Sequence, residues 1–150
     1  MRGADGRTLA EHWQPTGAQA YLGSTVPGFP NLFMLAGPNT GIGHTSLVVI
    51  IEAQITYIVD ALRIMDERGA ASVDLKVPVF DGWREEIQAK ARRTVWNSGG
   101  CASWYLDAEG RNTTLWPDYT FRFRSRTRRF DADSYELDVA PRSLGAELGS

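Results

Sequence analysis

The stretch NLFMLAGPNTGIGHTSLVVI, residues 31–50, decides how this chain is read. Its first part, Asn31-Leu32-Phe33-Met34-Leu35-Ala36, is a short continuous apolar run bounded by Pro30 and Gly37. Such a run suits a strand covered on both faces, as in a parallel sheet. The glycine bend Gly37-Pro38-Asn39-Thr40-Gly41-Ile42-Gly43 follows, and then a helical pattern between His44 and Arg68. There Leu47, Ile50, Ile51, Ile55, Ile58, Leu62 and Met65 recur as a stripe. Thr45 or Ser46 stands ready to cap the first N–H groups, and Gly69 sits where a left-handed residue ends a helix. Val48, Val49 and Ala53 on the other flank predict first turns buried nearly all round. Strand, bend and helix make a β–loop–α unit. Glycines allow close backbone approach, and a helix N-terminus offers unpaired N–H groups and a positive dipole end, which favours an electron-rich group. The spacing matches neither G-x-G-x-x-G nor a phosphate loop ending in G-K-[ST]. A turn that merely packs strand against helix therefore competes on equal terms.

Working outward, residues 1–30 carry Gly, Pro and small polar residues without a sustained period and read as irregular, with Val26-Pro27-Gly28-Phe29-Pro30 as a turn. Ser72 to Val79 alternates, with Val73, Leu75, Val77 and Val79 on one face, and Pro78 predicts an edge strand. A second helix is expected with Asp81 as N-cap and Trp83, Ile87, Ala91 and Val95 at four-residue spacing, with Glu86 and Lys90 as an i,i+4 pair, ended by Asn97-Ser98-Gly99-Gly100. Cys101–Leu106 and Asn112–Trp116 read as the arms of a C-terminal β-hairpin, joined at Asp107-Ala108-Glu109-Gly110 by a type I turn with a left-handed glycine. From Pro117 the sequence is ambiguous. Phe121-Arg122-Phe123-Arg124 alternates, yet Tyr119, Phe123, Thr127 and Phe130 share a helical face behind Pro117-Asp118, and helix is the preferred reading. Residues 1–139 are read as one structured segment and 140–150 as a disordered tail.

The chain has 150 residues, 43% hydrophobic and 23% charged, the balance of a single globular domain. Sixteen Lys and Arg against 18 Asp and Glu give a net charge of −2, which supplies no global attraction to nucleic acid or an anionic membrane. One cysteine excludes an internal disulfide. The first residues hold no apolar core of signal-peptide length. The longest apolar run, Leu47–Ile51, stops at Glu52, far short of the ~20 residues of a membrane span. The expectation is a soluble, cytoplasmic chain with no membrane or nucleic-acid partner.

His44, beside the bend, suits an acid, a base or a hydrogen-bond donor to a ligand, although capping or packing is the more economical reading without a neighbouring carboxylate. His12 reads as a surface residue and Cys101 as a small buried hydrophobe. Two histidines and one cysteine far apart make no metal-ligand spacing. Arg122, Arg124, Arg126, Arg128 and Arg129 invite a phosphate or RNA reading; a solvated face paired with Asp131, Asp133 and Glu136 is favoured instead. The sequon Asn112-Thr113-Thr114 has no secretion signal behind it and is set aside. Trp96, Trp104, Tyr105 and Trp116 read mostly as core around the hairpin, with a ligand wall as the functional alternative.

Three segments together resemble one family, the Baeyer–Villiger-type flavin-dependent monooxygenases, especially the 4-hydroxyacetophenone monooxygenase-like branch. They are PGFPNLFMLAGPNTGIGHTSLVVIIEAQITYIVDAL, GCASWYLDAEGRNTTLWP and TRRFDADSYEL, spanning roughly residues 6–137. The resemblance implies a partial, Rossmann-like α/β FAD-binding domain and the cofactors FAD and NADP. It also implies a ketone or heteroatom-bearing small molecule and O2 as substrates. It puts Leu32–Ala36 in the FAD-domain sheet, Gly37, Pro38, Asn39, Thr40 and Gly41 against the flavin, and the His44 helix tip at the pyrimidine edge. Ser103-Trp104 looks like the family's segment near NADP, which makes Trp104 a cofactor-contact candidate. Members of the family carry two G-x-G-x-x-G motifs, the fingerprint F-x-G-x-x-x-H-x-x-x-W and a catalytic arginine upstream of the matching region, and none of these stands in this sequence. The chain therefore looks like a C-terminal portion of such an enzyme, with no catalytic residue of its own. The alternative is an inactive remnant, or a module that folds only against a missing N-terminal half. An incomplete core is expected, with an apolar patch on residues 31–36 and 44–68 open to self-association. The flavin reading requires the bend and helix tip to face a cavity rather than lie sealed under other side chains.

Overall fold

The computed structural model describes residues 1–41, 46–93 and 107–139. Its spine is a helix, α2, at Leu47–Arg68, following a five-residue α1 at Leu9–Trp13. Ser46 caps α2 by accepting the Val48 N–H at 3.3 Å, and Gly69 ends it in the left-handed region at φ 64°, as the sequence implied. The chain turns directly into β1 (Ala70–Leu75), then α3 (Val77–Arg92), α4 (Thr120–Thr127), a 3-10 turn at Ala132–Ser134 and β2 (Tyr135–Val139). β1 and β2 pair antiparallel, with Val73 opposite Leu137 and Leu75 opposite Tyr135. A two-stranded sheet is marginal by itself; here Val73, Leu75 and Tyr135 join Ile50, Tyr57 and Ala61 of α2 in one core. Trp83 and Ile87 of α3, Phe123 of α4, Trp116 and Phe130 complete it. The mixed α/β class holds, as does helix over strand for residues 120–127.

Several local expectations are corrected. Residues 31–36 form no strand. Asn31 and Ala36 adopt positive φ (59° and 51°), which bends the run at both ends. Its amides bond to scattered partners, Asn31 N–H to the Val73 carbonyl and Met34 N–H to that of Ser24, not to a ladder. The apolar side chains divide accordingly: Phe33 packs on the main core, Leu32 and Met34 on a satellite of Ala20, Val26 and Phe29. The strand expected over 72–79 stops at Leu75, because Pro78 lies in the first turn of α3, where its missing N–H costs nothing. Lys76, not Asp81, is the N-cap, and Val77 is exposed, whereas Trp83, Ile87 and Ala91 are buried as the spacing predicts. Residues 1–30 contain α1, whose capping box pairs Thr8 with Glu11. β2 was not anticipated. Helix α4 starts two residues later than Pro117-Asp118 implied, with Tyr119 as N-cap.

The left-handed Gly110 is present at φ 75°, its N–H bonded to the Asp107 carbonyl at 2.9 Å. The first hairpin arm, Cys101–Leu106, lies outside the described residues, and so do Val95, Trp96, Asn97–Gly100 and the tail from Ala140. The second arm, Asn112–Trp116, forms no strand among the described residues; Leu115 instead bridges to Gly41 in parallel. The first turns of α2 are not buried all round, since Leu47 is 41% and Val48 57% exposed. No helix among the described residues is long and apolar enough to cross a membrane.

Asp74 of β1 ties the Val26–Pro30 turn to the sheet by accepting the Gly28 N–H at 3.0 Å. Burial raises its pKa, opposed by that hydrogen bond, and Glu136, its register partner, raises it further. A carboxyl with a raised folded-state pKa stabilises most when protonated, below its unfolded value, and this contribution is lost as pH rises through the folded value. Asp74→Asn retains an acceptor for Gly28 and is expected to gain a few tenths to about 1 kcal/mol at neutral pH. The gain should vanish in acid; thermal melts at both pH values check this, and an equal gain at both would contradict it.

Candidate functional site

The bend at 37–41 is held from three directions. From α2, Gln54 is fully buried on the core face and spends both ends of its amide. Its Nε2 donates to the carbonyls of Leu22 (3.0 Å) and Gly23 (3.1 Å) and to Ser24 Oγ (3.0 Å), and its Oε1 accepts the Ala36 N–H at 2.8 Å. From the 112–116 segment, Asn112 folds an Asx turn, its Oδ1 accepting the N–H groups of Thr114 at 3.2 Å and Leu115 at 2.8 Å. The carbonyl of Asn112 accepts Asn39 Nδ2 at 2.7 Å, and the carbonyls of Thr113 and Thr114 accept the N–H groups of Asn39 (3.1 Å) and Gly41 (2.9 Å). Within the bend, Thr40 Oγ1 donates to the Gly37 carbonyl at 2.6 Å, and Asn39 takes φ 60°, a left-handed value that asparagine tolerates.

The side chains of Asn39 (2% exposed) and Thr40 (1%) are thus spent inside the protein. Gly37, Pro38 and Gly41 remain half-buried, so a ligand at this bend would meet backbone. A Cβ at Gly37 would run into the Gly23 carbonyl oxygen, which is backbone and cannot swing away. Gly37→Ala is expected to cost about 2–3 kcal/mol by overpacking. Urea titration measures it, and a loss under 0.5 kcal/mol would mean, roughly, that the two backbone segments separate without penalty.

His44, Ile42, Gly43 and Thr45 lie outside the described residues, as do Cys101, Ser103, Trp104 and Tyr105. His12 is half-buried in α1, edge-on to Phe29 at 5.5 Å, and burial lowers its pKa. Among the described residues, clefts lie on other segments. One of 460 Å³ is lined by α2 and α4, including Glu52, Thr56, Phe121, Arg124 and Arg128; another of 600 Å³ by α3 with Gln19 and Arg111. Two arginines of the run are paired, but not with the expected acids: Arg126 reaches Glu86 (2.6 Å) and Arg122 reaches Asp118 (3.4 Å). Lys90 sits between the same two acids, at 2.8 Å and 2.7 Å. No cluster of potential metal ligands occurs among the described residues.

Gln54 and Asn112 were missed as organising residues. Gln54 had a signal, a lone amide on the apolar face of the helix between Ile50 and Tyr57. Asn112 had only its sequon, whose buried side chain now shows a turn-forming role.

No protein-family model matches the chain. It is 52% identical over 140 residues to a Baeyer-Villiger monooxygenase of Pseudomonas aeruginosa, covering 93% of this chain and 26% of that protein. A Baeyer-Villiger monooxygenase of Streptomyces coelicolor is 48% identical over 147 residues, covering 97% and 28%. Among solved structures, cyclohexanone monooxygenase from Rhodococcus sp. Phi1 bound to NADP+ is similar with a TM-score of 0.79 at 25% identity, over 93% of this chain and 27% of that one. The OTEMO complex with FAD and NADP gives 0.78 at 25% identity, over 91% and 25%. The chain spans about a quarter of the length of the relatives it matches.

Proposed function

The chain corresponds in sequence and fold to about a quarter of a Baeyer–Villiger-type flavin monooxygenase, and from that premise we propose that it supplies the flavin-edge bend and part of the NADP and substrate wall of such an enzyme. The observation that carries the reading is the bend itself. Asn39 and Thr40 face inward, and the backbone is pinned by Gln54 and Asn112 just ahead of a 22-residue helix. The fit to a flavin is partial. Glycine-bearing backbone before the N-terminal end of α2 suits the electron-rich edge of an isoalloxazine ring, while the sequence holds no G-x-G-x-x-G to carry the dinucleotide phosphates. FAD, where bound, would supply the oxygen-inserting chemistry with NADPH as reductant and O2 as co-substrate.

What this chain's residues do is positional. Gly37, Pro38 and Gly41 offer backbone without side-chain bulk, and Asn39 and Thr40 hold it rigid. The helix dipole of α2 favours negative charge at its start, with His44 as a donor there and Trp104 as the NADP contact. The substrate is a small ketone or a heteroatom-bearing compound. The test joins this chain to the unmatched three-quarters of the Pseudomonas aeruginosa relative. The chimera is expected to purify with bound flavin and to consume NADPH and O2 in the presence of a ketone. A colourless, folded chimera would overturn the assignment of the bend.

A further inference from the structure

A cleft of 380 Å³ opens between α1, the Val26–Pro30 turn and the first two turns of α3, and none of its lining residues belongs to the bend at 37–41. Its apolar wall is made by the edges of the buried Phe29 and Phe80 rings together with Pro27. Three nitrogen-bearing side chains line it, Arg7, His12 and Arg84, and each has hydrogen-bonding capacity that the protein leaves unused. Arg7 gives Nε to Asp5 at 2.5 Å, and its two terminal nitrogens have no partner among the described residues. Arg84 lies over the Phe80 ring at 5.8 Å and gives Nε to Gln19 at 2.7 Å and Nη1 to Asp81 at 3.3 Å, which leaves Nη2. The imidazole of His12 packs edge-to-face with Phe29 and makes no hydrogen bond among the described residues. No buried side-chain nitrogen or oxygen among those residues lacks a partner, so the imidazole nitrogens are open to the cleft or to solvent. The acids of the lining, Asp5 and Asp81, already accept from Arg7 and Arg84, so what remains unspent is mainly donor. An exposed ion pair explains either arginine singly. Packing does not require three under-used donors on one cleft with aromatic edges for a floor.

We propose that this cleft is a ligand site for a small aryl carboxylate, whose ring lies against Phe29 and Phe80 and whose carboxylate is received by Arg84 and Arg7 with a hydrogen bond from His12. A carboxylate supplies the acceptor oxygens that the guanidinium forks lack, and a flat ring suits aromatic edges. The volume lies at the small end of ligand pockets, about 300–1,000 Å³, which suits one or two rings rather than a dinucleotide. Burial lowers the His12 pKa, the Arg7 and Arg84 charges act in the same direction and Asp5 opposes them, so the imidazole meets the ligand as a neutral donor. Acetate or inorganic phosphate would leave the rings unused, and a neutral arene would leave the donors unpaired; each lacks half of the recognition. The proposal does not rest on the flavin reading, because binding here is read on the chain without FAD.

The isotope-labelled full chain is titrated with benzoate and naphthoate, and with acetate, inorganic phosphate and benzyl alcohol as comparison probes, while the amide shifts are followed by NMR. Both aryl carboxylates are expected to bind saturably with a dissociation constant of about 1 mM or below, moving the amides of His12, Gly28, Phe29 and Phe80. Each comparison probe should bind at least about tenfold more weakly. Arg84→Gln and, separately, Arg7→Gln are expected to weaken naphthoate binding at least about fivefold by removing a charged donor. Arg63→Gln, at a 57% exposed position of α2, should leave it unchanged. Circular dichroism checks that each variant keeps its helices, and Arg7, 60% exposed, keeps the test decisive should Arg84→Gln disturb the Gln19 contact. Unchanged binding in both cleft variants overturns the site. So do acetate or phosphate binding as tightly as benzoate, benzyl alcohol binding as tightly as benzoate, shifts centred away from the cleft, or no saturation by about 10 mM.

Discussion

Replacing Gln54 by leucine is expected to destabilise the chain by about 2–5 kcal/mol. Leucine offers no donor or acceptor at this buried position, so the lost hydrogen bonds are the main part of the cost. Gln54 is fully buried, and leucine would strand the Ala36 N–H and the Gly23 carbonyl, while the Ser24 hydroxyl keeps its bond to the Leu22 carbonyl at 3.3 Å. Each buried group left without a partner costs about 1–3 kcal/mol. The Ala36 bond also fixes where the bend at Gly37 begins, so the same variant should weaken flavin retention in the chimera described above. Equilibrium denaturation in urea gives the stability term. A loss below about 1 kcal/mol would show that water replaces the glutamine, and the clamp would then not position the bend.

Truncating Trp83 to alanine is expected to cost about 4 kcal/mol, in the range for aromatic-to-alanine changes in cores. The indole is 4% exposed, stacks on Trp116 at 5.8 Å, meets Tyr21 edge-on at 5.2 Å and carries the Arg126 guanidinium 5.4 Å from its ring. Its Nε1 donates to the Ala20 carbonyl at 3.0 Å, tying α3 to the loop that leads to Gly23. Trp83→Phe should recover most of the packing and lose only the indole hydrogen bond, with the Ala20 carbonyl still accepting the Gly23 N–H at 3.2 Å, a loss of about 1 kcal/mol. Chemical denaturation of both variants tests the division; equal losses would assign the whole effect to the hydrogen bond.

Much of the fold was legible because it rests on short-range rules. The stripe of α2, its Ser46 cap and its Gly69 terminator all lie within one helix and its neighbours, and each was readable from spacing. The same holds for Trp83, Ile87 and Ala91 on α3 and for Gly110 in its turn. The failures came where local signals were degenerate. An apolar run such as 31–36 reads the same whether it pairs in a ladder or drapes over a core, and Pro78 reads the same in an edge strand or the first turn of a helix. Val77 and Val79 continue the alternation of β1, yet the backbone has already turned into α3.

The family resemblance and the order of helix, strand and helix were determined by the sequence alone, because each depends on residue type and spacing. Only the tertiary structure decided that Asn39 and Thr40 are interior struts, that Asn112 and Gln54 hold the bend, and that α2 keeps a second apolar face outward. The bonds of Gln54 to Ala36 and of Asn39 to Asn112 join residues 18 and 73 apart. A side chain's environment at such separations is set by which surfaces the fold brings together, and no local pattern encodes that.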